Sequence, residues 1–497
     1  MTMAALSLLS LGSLLLVFPL VSCTIMLQRG DVEISVMLAV TQPKDETKCN
    51  KDDVRVPAVE IAQVFSYITD DINKNPYILR DTSMGLAVYD TCEKRDWTQM
   101  VTESILSGKR NKQTNDKISY VPTVVMYPAY LPSVEGLRTT LNNNKILNFE
   151  LDFWGSSGRR SARPNSHHFT FVAPQISVAR AMKDLLVHYN WTYVSLVMSE
   201  SASSFMAAEA LNRELKEAGI CIATQLRVPP GVTNPGVYQQ IRRNLQRQAR
   251  ARVVMTFLNK NDTIGLSNAF NRTAEDKDFF IFLAFGSDTT ILAQSGMVIQ
   301  LKNRYTDGMA AFTKYYSSLT YENNRINPWF QKALDFYNDC TLKGLFGLGC
   351  EKTNHPVNID NRPLDVYYST VKEAVWTYAA ALDATMSESC LNHTTPASQD
   401  TCLKSINETL FMKKVAEAYR GTNSFNIAQI LANSTEIRIG TWNKTLNISG
   451  DPDWKVLHLI SRPDDPVTST PVSVCSAPCL NGQTAVYSRD RCCWICI

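Results

Sequence analysis

Thirteen cysteines are the residues of this sequence best placed to do chemistry, and five crowd its end as Cys475-x3-Cys479-x12-Cys492-Cys493-x2-Cys496. Thiols at such spacing either pair as disulfides or hold a metal. A structural zinc site needs two ligand pairs. Cys493-x-x-Cys496 has no second such pair, and none of the six histidines sits at ligand spacing from another. Disulfides are therefore the expected chemistry, and they belong to an oxidising, exported compartment. If Cys23 leaves with a leader, twelve cysteines remain. Spacing offers three local pairs among them: Cys49 with Cys92, Cys340 with Cys350, and Cys390 with Cys402.

Other reactive groups are sparse. The sequence contains no G-x-S-x-G elbow, no P-loop and no H-E-x-x-H, so no catalytic residue, metal or cofactor is expected. Asp288 closes "GSD" at the C-terminal end of an apolar strand, the edge where open α/β sheets bind ligands. There it can pair with a ligand ammonium or cap the next element as an Asx-turn residue. Trp154 follows another strand and belongs to a core or a cleft. "GSSGRRSARPNSHH" reads as a loop, which makes Arg159, Arg160, Arg163, His167 and His168 solvated residues. Net charge is +3 and charged content 20%, with no basic stripe of the kind nucleic acid requires.

The N-terminus supports export. Met3 to Val21 is apolar with small residues, which reads as a secretory signal peptide over residues 1–23 with a cut near Thr24. A signal-anchor helix is the alternative. "LVSC" also resembles a bacterial lipoprotein box that would carry a lipid at Cys23. Eight N-glycosylation sequons agree with a eukaryotic secretory route: Asn190, Asn261, Asn271, Asn392, Asn407, Asn433, Asn443 and Asn447. No other stretch reaches the ~18 apolar residues of a membrane span. The expected location is extracellular: at the plasma membrane if the chain is part of a longer receptor, secreted if it ends at Ile497.

Alternating strands and helices must position these groups. "EISVMLAV" predicts a buried strand, and Ile61, Val64, Phe65, Ile68 and Ile72 mark the helix after it. Strands follow at 84–92, 120–128 and 145–153, with helices near 96–107 and after Ser133. The pattern restarts with strands at 169–174, 192–200, 220–228, 251–258 and 279–288. Helices lie between them, one with Val178, Met182, Leu185 and Leu186 on a face, others at 204–218 and 236–248. Two such series imply two lobes with parallel sheets wrapped by helices. Further helices are expected near 329–340, 364–387 and 408–419, then strands at 435–442 and 454–461. "RPDDPVTSTP" reads as a linker to a small cysteine module.

Two stretches carry a resemblance. The ending, with "VCSAPCLNGQ" and "CCWIC", resembles the opening of the nine-cysteine domain of class C G-protein-coupled receptors, nearest the metabotropic glutamate receptors. "VARAMKDLLVHYNWTYVSLVMSE" with "EAGICIA" resembles their second lobe, while "INPWF" and "VKEAVWTYAAALDA" resemble the return to the first. The resemblance implies an α/β, bilobed Venus-flytrap of the periplasmic-binding-protein type I kind: two Rossmann-like lobes plus the start of a cysteine-rich module. Lobe 1 would span 24–175 and 308–442, lobe 2 176–307, its return and linker 443–473, and the partial nine-cysteine domain 474–497. A small ligand would shift the population toward a closed cleft. Family pairings match the three local disulfides, and Cys221 matches the residue that reaches into the cysteine-rich module.

The departures from the family decide the expected ligand. Of the residues that grip glutamate, Asp288 survives. The hydroxyl turn keeps Ser133, and the next hydroxyl position falls near Trp154. The arginine falls at Ile61, the acidic residue at Ile176, the stacking tyrosine near Ser203 and the lysine near Tyr367. The candidate ligand set is Ser133, Trp154, Ser203, Asp288 and Tyr367, suited to an amino-acid-like molecule or an amine but not to glutamate. No cysteine lies between Cys92 and Cys221, so a homo- or heterodimer through lobe 1 would rest on apolar helix faces. A G protein becomes a partner only through a membrane domain beyond this chain. With five of nine module cysteines present, Cys475 to Cys496 are expected to be partly unpaired and poorly ordered. Alternatives are a secreted or lipid-anchored solute-binding protein and the ectodomain of a receptor guanylate cyclase.

Overall fold

The computed structural model describes residues 25–45, 49–80, 82–111, 123–129, 131, 134–151, 167–171, 175–232, 234–270, 280–285, 296–301, 308–337, 364–389, 402–403, 406–419, 424–430, 436–450, 452, 470–487 and 492–497. The signal peptide, the strand expected at 454–461 and most of the linker lie outside them.

Lobe 1 is built on β1 (Ile25–Gln28), β2 (Val32–Leu38), β5 (Met84–Asp90), β6 (Val124–Pro128), β7 (Leu147–Leu151) and β8 (His168–Phe171), in the order β1-β5-β2-β6-β7-β8. All neighbours run parallel except β1, which is antiparallel to β5. Between β2 and β5 lie the hairpin β3 (Thr41–Pro43) and β4 (Cys49–Val54) and the helix α1 (Val56–Asn73). Helices α2 (Arg95–Asn111) and α3 (Val134–Asn143) connect the later strands.

The central strands β2, β6 and β7 are buried on both faces, which is why they read as near-continuous apolar runs, whereas edge strand β1 leaves Ile25 and Leu27 exposed. Val36 and Val88 pack with α1 on one side, while Met37 and Val125 pack with Val101 of α2 and Leu137 of α3 on the other. Gly30 and Gly85 make the close approach where β1 turns over β5. A Cβ on Gly30 would lie 2.2 Å from the Gly85 nitrogen.

Lobe 2 repeats the plan. Its sheet holds β9 (Tyr193–Ser199), β10 (Cys221–Val228), β11 (Val253–Phe257), β12 (Ile281–Phe285) and β13 (Gly296–Leu301), in the order β10-β9-β11-β12-β13. Helices α4 (Gln175–His188) and α5 (Ala202–Glu217) share a core with one face; α6 (Pro235–Gln246) and α7 (Lys260–Ala269) cover the other. Counted along the chain, the five parallel strands of both lobes follow the same 2-1-3-4-5 order, a doubly wound sheet.

The chain then returns. Helices α8 (Met309–Ser317), α9 (Phe330–Tyr337), α10 (Leu364–Ser389) and α11 (Glu408–Ala418) add Phe312, Phe330, Val375 and Phe411 to the lobe 1 core. Gln63 of α1 ties this return down. Its Oε1 accepts from Asn324 (2.9 Å) and Asn327 (3.2 Å), and its Nε2 donates to the Tyr315 hydroxyl (2.9 Å). The strands β14 (Ser424–Ile430), β15 (Glu436–Asn443) and β16 (Thr445–Ile448) then extend the lobe 2 sheet beyond β13, all antiparallel. This corrects the expected boundary at 443, because the chain is already in lobe 2 at Ser424. Phe425 and Trp442 pack at a tilt in its core, ring centroids 5.5 Å apart.

Residues 470–475 are knitted to lobe 2, and a small hairpin of β17 (Ala485–Tyr487) and β18 (Trp494–Cys496) follows. All five tail cysteines are paired: Cys475 with Cys493, Cys479 with Cys496, and Cys492 with Cys221. The expectation of unpaired, poorly ordered thiols is therefore corrected. Parity explains it: Cys221 makes the set six, and the neighbours Cys492 and Cys493 take different partners. Cys49 and Cys92 are joined as expected. Cys402 is disulfide-bonded, while Cys340, Cys350 and Cys390 lie outside the described residues. Among the described residues no helix is long and apolar enough to cross a membrane.

Candidate functional site

In a doubly wound sheet the strand order reverses between the first and third parallel strands, and the crevice outside their carboxyl ends is the natural binding place. Lobe 1 has this point between β2 and β6, lobe 2 between β9 and β11.

At the lobe 1 edge the chain is stapled. The buried Asp90 carboxylate accepts from the amides of Val40 (2.9 Å), Thr41 (3.2 Å) and Cys92 (2.9 Å), and from the Thr41 hydroxyl. The Cys49–Cys92 disulfide fastens β4 to the turn after β5. Arg55, at the entry to α1, pairs with Glu93 and donates to Gln42 Oε1 at 3.1 Å. The loops leaving β2 and β5 are thus held before any ligand arrives.

At the lobe 2 edge a second carboxylate organises the turn. Buried Asp262 accepts from the hydroxyls of Ser199 (2.6 Å) and Tyr238 (2.9 Å) and from Asn259 Nδ2 (2.8 Å). Asn259 caps α7 by accepting from the Asp262 amide at 2.9 Å. Burial, helped by the Asp262 acceptor that holds its proton, pushes the Tyr238 phenol up to about 12. Ser201 caps α5 by accepting from the Ser204 amide. Sequence reading missed this network. Its one available signal was a polar residue at the carboxyl end of each of two apolar strands, Ser199 closing β9 and Asn259 two residues past β11.

Of the candidate ligand residues, Ser133, Trp154 and Asp288 lie outside the described residues. Ser203 falls in the first turn of α5 and Tyr367 is buried in α10 within the lobe 1 core; no described contact brings them together. Ile61, at the expected arginine position, is wholly buried in α1, and Ile176 is half-buried at the start of α4. His167 and His168 are not solvated loop residues. His168 opens β8, 3% exposed, with Nδ1 2.7 Å from Asn148 Oδ1 and Nε2 3.3 Å from Glu150. His167 Nε2 lies 2.8 Å from Glu408 of α11. The register of β8 on β7, which pairs Asn148 with His168, draws them in. Five sequon asparagines are described and exposed: Asn190, Asn261, Asn407, Asn443 and Asn447. Asn271, Asn392 and Asn433 lie outside the described residues.

Two sheets of one strand order, each with a pre-formed switch-point edge and followed by a disulfide-bonded hairpin, define a bilobed α/β module of the periplasmic-binding-protein kind. The chain belongs to the receptor family ligand binding region, whose pattern matches residues 60–421. It is similar to metabotropic glutamate receptor 8 of Rattus norvegicus, 24% identical over 486 residues, covering 87% of this chain and 51% of that protein. The receptor of the same name from Homo sapiens is 24% identical over 485 residues, with the same shares covered. The chain thus spans about half the length of the curated relatives it matches. The class C receptor ectodomain inferred from "CCWIC" and the lobe 2 motifs accordingly holds across most of the chain.

Proposed function

We propose that this chain is the extracellular ligand-binding region of a metabotropic-glutamate-receptor-like class C G-protein-coupled receptor, sensing a small ligand other than glutamate by closure of its two lobes. One observation carries the non-glutamate part. The position expected to hold the arginine that grips the distal carboxylate is Ile61, wholly buried in the lobe 1 core. A neutral side chain there cannot reach a ligand or pair with a carboxylate. Tyr367, at the expected lysine position, is likewise buried. Each missing charge-assisted hydrogen bond removes about 1.5–3 kcal/mol. Two together weaken binding by roughly 10²–10⁴-fold.

An amino-acid-like molecule or an amine suits the remaining set, with Asp288 as the ammonium partner. A homo- or heterodimer through lobe 1 would not find the expected apolar face on α2 and α3, whose described exposed residues include Arg95, Asp96, Gln99, Glu103, Glu135 and Thr139. Met100 is the one large apolar side chain exposed there among the described residues. Coupling to a G protein would require a membrane domain outside this chain.

Calorimetry with L-glutamate on the secreted chain tests the ligand claim. The expected result is no binding at micromolar concentration, and micromolar affinity overturns it. A thermal-shift response to another amino acid or an amine supports the receptor reading.

A further inference from the structure

The chain's +3 balance conceals one strongly biased stretch. Between Glu217 and Asp262 there is no carboxylate, while six arginines and one lysine occur: Arg227, Arg242, Arg243, Arg247, Arg250, Arg252 and Lys260. The fold sorts these residues. Arg242 is spent internally, its guanidinium over the Phe270 ring and donating to the Ala269 carbonyl at 3.0 Å. Arg252 is buried, and Arg227 of β10 lies over the Phe205 ring of α5.

Arg243, Arg247 and Arg250 remain, all exposed and spaced i, i+4, i+7. Arg243 opens the last turn of α6 and Arg247 is its C-cap, still in helical conformation. The two therefore rise from one face of the helix about 6 Å apart along its axis. No carboxylate reaches any of the three among the described residues. Arg247 and Arg250 touch only neutral oxygens, Asn244 Oδ1 at 3.5 Å and the Cys475 carbonyl at 2.7 Å. Gln240 and Asn244 add neutral amides to the same face, bonded to each other at 3.3 Å. Among the described residues, the row thus carries concentrated charge that no carboxylate neutralises. It stands beside the docking point of the cysteine tail.

We propose that this arginine row on α6 is a docking surface for a sulfated polysaccharide of the extracellular matrix or cell surface. Guanidinium forks match the paired oxygens of sulfate and carboxylate better than an ammonium does. A short basic cluster is the electrostatic footprint of heparin-like polymers. The disulfides and exposed sequons fit the compartment where such polymers, rather than nucleic acids, are the abundant polyanions. The row lies at the end of α6 that leads into the amino end of β11, opposite the carboxyl-terminal switch-point edge of the sheet.

Heparin-affinity chromatography of the secreted full chain tests this. The wild type is expected to be retained at about 0.15 M salt. The pair Arg243→Gln with Arg247→Gln is expected to elute earlier, with the slope of log affinity on log salt falling by about 2. Arg243→Lys with Arg247→Lys keeps the charge but loses the forks, and is expected to fall between. Arg213→Gln, an exposed arginine on α5, is expected to elute with the wild type. Flow-through of the wild type, or co-elution of the glutamine pair with it, overturns the proposal. Equal competition by desulfated heparin also overturns it. So does binding to phosphatidylserine vesicles without binding to heparin, which would make the surface a lipid contact.

Discussion

The cysteine tail is held to lobe 2 twice over, and the two attachments can be separated. The covalent one is Cys221–Cys492. The non-covalent one centres on Ser473, which is fully buried against the amino ends of β9 and β11. Its carbonyl accepts from the Thr192 and Tyr193 amides, both at 3.0 Å. Its hydroxyl donates to the Tyr193 carbonyl at 2.6 Å and accepts from the Val253 amide at 3.2 Å. Trp191 Nε1 donates to the Pro471 carbonyl at 2.7 Å and Arg250 to that of Cys475 at 2.7 Å.

At about 1 kcal/mol net each, these bonds together contribute roughly 6 kcal/mol. Replacing Cys221 and Cys492 together by serine is therefore expected to leave the tail docked. Ser473→Ala removes both hydroxyl bonds and takes a partner from the buried Val253 amide. That costs about 2–3 kcal/mol, or a roughly 30- to 150-fold larger opening constant. Hydrogen exchange followed by mass spectrometry on peptides covering 190–195 and 470–476 reads this opening directly. Slow exchange should persist in the double serine variant and speed by that factor when Ser473→Ala is added. Full exchange in the double serine variant alone would refute the reasoning, because the disulfide would then be the whole attachment. An unchanged rate on adding Ser473→Ala would refute it equally.

Two further outcomes follow from buried polar groups. Gln63→Leu keeps the volume of the side chain but orphans the amides of Asn324 and Asn327; unfolding of lobe 1 by denaturant should show a loss of about 3–5 kcal/mol. Tyr238→Phe should flatten the alkaline limb of lobe 2 stability. A phenol raised from 10.0 to about 12 by folding adds stability that is complete below pH 10 and lost as pH rises toward 12. Denaturant midpoints at pH 8 and pH 11 should therefore diverge less in the variant than in the wild type.

Strands buried on both faces were the most legible elements. "EISVMLAV" and "ARVVMTFL" need no neighbour to identify them, since apart from Glu33 and Arg252 at their starts every residue is apolar or small and the run is strand-length. What sequence concealed was which sheet a late strand joins. "SFNIAQI" pairs with β13, more than a hundred residues earlier, through antiparallel contacts that leave no local pattern. His167 and His168 were misread because their polar leader resembles a loop, while the fold gives each a partner: Asn148 and Glu150 for His168, Glu408 for His167. Pairing of the tail was legible in principle, because adding Cys221 to five cysteines makes an even set. The switch-point carboxylates Asp90 and Asp262 were not, because an acidic residue near a strand end looks the same whether it faces water or organises a turn.

The three strands appended to the lobe 2 sheet also bear on how the molecule is made. The outer edge of β13 is complete at Leu301, yet its partner β14 begins at Ser424. At about 5–20 residues per second, a ribosome needs roughly 6–25 s to deliver the missing strand. Through that interval "MVIQL" presents an unpaired apolar edge, the kind of edge that recruits other chains. Biogenesis of this molecule thus includes a timed vulnerability, set by the order of synthesis and ended only when the last lobe 2 strands emerge.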